Sequence, residues 1–170
     1  MINAKTALQQ SLDNQPSTTG MTEATIQNYN AKRQKAEQAI QKANKVIENA
    51  QPSVQQVSDE KSKVEQALSE LNNAKSALRA DKQELQHAYN QLIQPTDLNN
   101  KKPATITAYN QRYQQFSNEL NNTKTNADRI LKEQNPSVAD VNNALNKVRE
   151  VQQKLNNARA LLENKENNDE

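Results

Sequence analysis

Between Ser53 and Gln94 the chain passes about 42 residues without a glycine or proline, while apolar side chains return at alternating steps of three and four. Val54, Val57, Val64, Leu68, Leu71, Leu78, Leu85, Tyr89 and Leu92 form the seam, and Ala67, Ala74, Ala77 and Ala88 widen it to the stripe that a bundle helix buries. This pattern predicts one continuous helix. At 1.5 Å per residue it would run roughly 60 Å, more than one small helical domain covers, so two bundles are expected to share it.

Composition points to the same class. One glycine and five prolines leave few tight turns, and aromatics make up only 3% of 170 residues, so long helices are favoured over strands. A hydrophobic fraction of 33% against 25% charged suits narrow helical seams rather than a thick mixed core. Mean hydropathy is −1.12, and Asn plus Gln supply roughly a quarter of the chain, which raises disorder as the rival. Apolar residues held in register over about ten turns argue against it. The fold class read from the residues is all-α: two tandem three-helix bundles joined end to end by a long shared helix, rod-like.

Taken in order, Ile2 to Asp13 predicts a short helix, ended by Asn14-Gln15-Pro16-Ser17-Thr18-Thr19-Gly20. A second helix starts near Thr22 with seam residues Ile26, Tyr29, Arg33, Ala36, Ile40, Ala43, Ile47 and Ala50, Arg33 snorkelling at the seam's edge. At Gln51-Pro52-Ser53 the chain turns a corner, where Ser53 and Gln56 match a capping box.

The chain then repeats. Thr25-Ile26 and Tyr29-Asn30 recur as Thr105-Ile106 and Tyr109-Asn110, and Pro52-Ser53-Val54 with Val57 recurs as Pro136-Ser137-Val138 with Val141. Leu71-Asn72-Asn73-Ala74 recurs as Leu155-Asn156-Asn157-Ala158. The offset is 80 residues in the first block and 84 afterwards, so about one extra helical turn lies between Leu120 and Asn135. The expected domains are residues 1–80, a first three-helix module, and residues 81–170, a second and longer one. Its seam is expected along Ile106, Tyr109, Tyr113, Phe116, Leu120, Ala127 and Ile130, returning through Val138 to Leu162. The charged tail from Glu163 to Glu170 is expected to fray.

No reaction centre is legible. Cysteine is absent and His87 is the single histidine, so thiol chemistry, a histidine metal pair and a Ser-His-Asp triad lack their parts. Asp59-Glu60 reads as a solvated carboxylate pair, and one glycine cannot build a phosphate loop. Tyr29 and Tyr109 share one seam position and read as packing residues with the hydroxyl at the rim. The net charge of +2 is spread over interspersed Lys, Arg, Asp and Glu, which excludes a nucleic-acid stripe. No segment near Met1 has the apolar run of a signal peptide, and none approaches a membrane span. No catalytic, cofactor-binding or metal residue, no cofactor and no enzymatic activity is therefore expected; the binding residues stay unassigned.

The Ala4-Lys5-Thr6-Ala7-Leu8 segment, the paired Thr-Ile and Tyr-Asn motifs and the two Pro-Ser-Val corners followed by Leu-Asn-Asn-Ala resemble the FIVAR and GA-like three-helix repeats of giant staphylococcal cell-wall proteins. The resemblance covers essentially the whole chain. It implies a cell-surface location in the bacterial wall and an adhesive role toward matrix proteins such as fibronectin. It also implies neighbouring repeats of the same chain as partners, with this chain as a monomeric internal fragment of an exported protein carrying an added Met1. Some GA modules bind serum albumin, and no albumin-contacting motif is matched here. Three readings follow: a surface rod that acts as spacer, a matrix-binding module, or a cytoplasmic coiled-coil-like scaffold.

Overall fold

The computed structural model describes residues 1–166 and contains, among them, seven helices and no strand longer than an isolated bridge. They fall into two compact units, Met1–Arg79 and Ala80–Glu170. In the first, α1 (Ile2–Asp13), α2 (Glu23–Glu48) and α3 (Val54–Ser76) pack pairwise. Their apolar stripes meet in one core that includes Leu8, Leu12, Tyr29, Val64 and Leu71.

Capping follows the sequence closely. Thr22 accepts the Thr25 N–H at the start of α2. Ser53 accepts the Gln56 N–H at 3.0 Å while the Gln56 side chain accepts the Ser53 N–H at 2.9 Å, satisfying two orphan donors of α3. Ser137 accepts the Asp140 N–H at 3.0 Å at the matching corner. Gly20 at φ 78° and Asn100 at φ 57° occupy equivalent left-handed positions 80 residues apart, the asparagine standing where glycine serves the first turn.

The single long helix does not form. α3 stops at Ser76 and α4 (Gln83–Leu92) begins seven residues later, so the shared helix is corrected to two separate ones. The cause is tertiary. Arg79 gives its N–H to Thr25 Oγ1 (3.4 Å) and its carbonyl to the Thr22 N–H (2.8 Å), both on the first turn of α2 and its cap. Those groups are lost to the helical ladder, and Leu78 is buried in the first core while Ala80 is buried in the second. Asp81 Oδ1 then accepts the Gln83 N–H at 2.9 Å, and the α4 ladder starts.

The second unit closes in the same way. After α7 (Val138–Arg159), Glu163 gives its N–H to Thr105 Oγ1 (3.2 Å) and its carbonyl to the Lys102 N–H (2.8 Å). Lys165 continues the pairing by donating its N–H to Asn100 O at 2.9 Å. Residues Glu163 to Lys165 are thus tied down rather than frayed; residues 167–170 of the expected fraying tail lie outside the described residues.

A further correction concerns the second unit's middle helix, which breaks into α5 (Pro103–Gln114) and α6 (Ser117–Lys132). Gln115 and Phe116 make i to i+3 bonds to Arg112 and Tyr113, a 3₁₀-type tightening, and the ladder resumes with Leu120 N–H to Phe116 O at 2.8 Å. In the first unit small Ala36 holds the place of Phe116, and α2 is unbroken there. The larger ring is almost fully buried and tilts against Tyr113 at 5.5 Å, with Tyr109 a further 5.9 Å on. Seating that ring where the first unit has a methyl accounts for the tightened turn and the break between the two helices.

The seam is also shorter than its periodicity suggests. Val54 is 87% exposed and Ile47 40% exposed. α1 has 12 residues against 26 in α2, so at the α2–α3 corner only two helices face each other and no third helix covers the stripe.

Candidate functional site

Among the described residues no group of His, Asp and Glu is gathered so as to hold a metal ion. His87 is exposed on α4, 3.3 Å from the Gln91 amide one turn on. The Asp59-Glu60 pair divides: Asp59 is exposed and accepts from Gln55 Nε2 at 2.7 Å, whereas Glu60 is 91% covered between α2 and α3, which corrects the solvated reading for that residue. It lies in a groove along α2 and α3 whose lining mixes Lys35, Lys42 and Lys63 with Gln38, Gln66 and Glu70.

Both seam tyrosines are buried, and their hydroxyls differ. Tyr109 OH lies 2.7 Å from Thr96 Oγ1, which also accepts from Arg159 Nε at 2.9 Å. Tyr29 OH is buried without a hydrogen bond among the described residues. Arg33, one turn on, has its guanidinium Nε buried and unpaired as well, so it sits deeper than the seam edge expected for it.

A basic clasp recurs directly after the repeated Leu-Asn-Asn-Ala motif. Lys75 Nζ donates to the carbonyls of Ser11 and Asn14 at the end of α1, the latter at 2.9 Å. Arg159, its repeat counterpart, donates to Gln94 O at 2.8 Å just past α4. Each cation meets the negative end of its unit's first helix. Burial pushes the Lys75 ammonium below its usual value. The signal is present in the sequence as a base directly after each Leu-Asn-Asn-Ala, Lys75 and Arg159, and its meaning needs the neighbouring carbonyls.

Elsewhere the surface is engaged with itself. Gln86 donates to Asn90, Gln152 to Asn156 and Gln153 to Asn157, all at 2.9 to 3.0 Å and one turn apart. Such pairs stabilise exposed helix faces, which gives the high Asn and Gln content a structural use. On the second unit Glu119 bridges α6 to α7 through Lys154 (2.6 Å) and Lys147 (3.2 Å). Lys154 foremost, then Lys147, holds the Glu119 carboxyl below the usual carboxylate range.

One concavity differs in character. Beside the α4–α5 connection a cavity of about 390 Å³ has a floor of Leu92, Leu120 and Leu155 and a wall of Tyr109 and Tyr113. Two cations, Lys124 and Arg159, line it, and no carboxylate does. No helix among the described residues is long and apolar enough to cross a membrane.

Comparison with known proteins agrees with the repeat. The chain is 40% identical over 158 residues, 93% of its length, to extracellular matrix-binding protein EbhB of Staphylococcus aureus strain N315, and it spans 4% of that protein. It is equally similar to extracellular matrix-binding protein ebh of strain NCTC 8325, of which it spans 2%. A solved structure from work on extracellular matrix binding protein (Embp)-mediated Staphylococcus epidermidis adherence to fibronectin covers 92% of this chain and 98% of its own. The identity there is 25% and the TM-score 0.32, too loose a superposition to carry an argument. The FIVAR domain model matches residues 4–86 and again 88–156, so that its second copy starts inside α4 rather than at the Arg79–Ala80 division of the units. With nearly its whole length matched in two consecutive copies, the chain belongs to the FIVAR domain family.

Proposed function

We propose that the chain is a two-module segment of a bacterial cell-surface adhesin, extracellular and wall-associated, that spaces the surface and contacts matrix protein weakly at each module without catalysis. The observation that carries this is 40% identity across 93% of the chain to a protein named for extracellular matrix binding, of whose length the chain is only 4%. A segment so small a part of its relative suits a contact multiplied over copies. Linked weak sites gain about 10² to 10⁴ in avidity when geometry lets them engage together. The self-stapled amide faces suit contact along an exposed helix surface.

The test is binding of the purified 170-residue chain, alone and as head-to-tail concatemers, to immobilised fibronectin, with serum albumin beside it. The single copy is expected to bind fibronectin weakly and the concatemers progressively more tightly. A tight, saturable interaction of the single copy would replace avidity with a dedicated site. No binding by any concatemer would refute the matrix role.

A further inference from the structure

The cavity beside the α4–α5 connection of the second unit carries the inference. Its floor is deep core: Leu92 and Leu120 are 1% exposed. Its rim carries Ile93, 43% exposed, and Leu98, 37% exposed, both among the few large hydrophobic side chains left to solvent among the described residues, beside polar Gln94 and Asn110. At about 390 Å³ it falls in the lower part of the roughly 300–1,000 Å³ range of binding pockets.

The charge in it is one-sided. Arg159 is held by Thr96 Oγ1 and Gln94 O, neither of them a carboxylate. Lys124 is half-buried and makes no hydrogen bond or ion pair among the described residues. Half-covered cations without a counter-charge lack what a neighbouring Asp or Glu elsewhere supplies, as Glu119 does for Lys147 and Lys154 on the same unit.

The first unit provides an internal control. At the positions of Ile93, Leu98 and Tyr113 it has Asp13, Thr18 and Arg33, so these three apolar and aromatic side chains belong to the second copy alone, while Tyr109 has its counterpart in Tyr29. Packing of the repeat does not require them. Leu12 and Tyr29 fill the first core with polar residues at all three places.

We propose that this groove binds an extended peptide segment of a partner protein in which large apolar side chains flank carboxylates. The apolar side chain enters against Leu120 and Tyr113, and the carboxylate meets Lys124 and Arg159. Charge complementarity selects this occupant, because a neutral apolar segment leaves both cations unmatched. The inference does not rest on the proposed matrix contact.

The test uses the whole 170-residue chain and a fluorescein-labelled peptide bearing leucine-aspartate-glutamate-leucine, read by anisotropy and by amide shifts in NMR. Two control peptides carry leucine-lysine-lysine-leucine and serine-aspartate-glutamate-serine. The acidic leucine peptide is expected to bind saturably, with shifts confined to the second unit around residues 92–98, 109–113 and 124. Ile93→Asp and Lys124→Gln are each expected to weaken it about tenfold, and added salt to weaken it further. Both altered side chains lie outside the buried core, and an unchanged circular dichroism melt shows that the fold persists. Equal binding of the lysine peptide, unchanged affinity in either variant, or shifts on the first unit would overturn the proposal. So would no binding at about 1 mM peptide, or a dimer of the chain that Ile93→Asp abolishes, which would make a second copy the occupant. A fibronectin interaction that survives both variants leaves the matrix reading intact and the groove decided by the peptide alone.

Discussion

Leu71→Ala tests the separation of the two cores. Leu71 is fully buried in the first unit and belongs to the hydrophobic cluster drawn from residues of that unit. Truncation removes three buried carbons, about 2.4 kcal/mol at roughly 0.8 kcal/mol per methylene. A cavity contribution adds to this, reduced because three thin helices settle into the gap more readily than a thick core, so about 2–4 kcal/mol is expected in all. For a unit of this size that lowers the first unit's melting midpoint by roughly 10–25 °C. Leu155→Ala, at 3% exposure in the other cluster, should do the same to the second unit. Tyr29 is the only aromatic residue of the first unit, while Tyr109 and Phe116 belong to the second, so resolved ring signals in a thermal NMR series follow each unit separately. Equal shifts of both sets of signals on Leu71→Ala, or a loss below about 1 kcal/mol, would refute the assignment of one core to each unit.

Thr25→Val should remove the acceptor of the Arg79 N–H while the Thr22 N–H to Arg79 carbonyl bond remains, costing about 1 kcal/mol and speeding amide exchange at Arg79, while Thr25→Ser keeps the hydroxyl and most of the protection. Thr105→Val should act likewise on Glu163. Ser53→Ala removes the acceptor of the capping box and should cost about 1 kcal/mol in urea unfolding of the first unit, leaving the second unchanged. Glu119 has a folded-state value below its unfolded one. Its contribution is therefore fully present above the usual carboxylate range and is lost as pH falls through the depressed folded value. Between neutral and acid pH the second unit should lose more stability in the wild type than in Glu119→Gln, and a parallel pH profile of the two would show that the bridge to Lys154 and Lys147 contributes nothing.

The helical class, the repeat and the corners were legible because they are local or periodic. Ser53 with Gln56, Ser137 and Pro103 act within one turn of where they stand, and the three- and four-residue steps of the seam depend on helix geometry alone. The interruption at Ala77 to Lys82 was not legible, because no glycine or proline marks it. Local propensity carries the helix onward there, and only the Thr22 and Thr25 groups, more than fifty residues away in sequence, draw Arg79 out of the ladder. The repeated Thr-Ile motif recorded that contact without disclosing its partner. Phe116 likewise reads as an ordinary seam residue until its ring must share a core with Tyr113 and Tyr109, and the turn before it tightens and breaks the helix. Val54 was in register yet lies exposed, since periodicity says which side of a helix is apolar and not how far its neighbours extend. The groove beside α4 belongs to the same kind. Ile93, Leu98, Tyr113 and Lys124 come from three separate stretches, and what joins them is the path of the backbone around the second unit rather than any spacing along it.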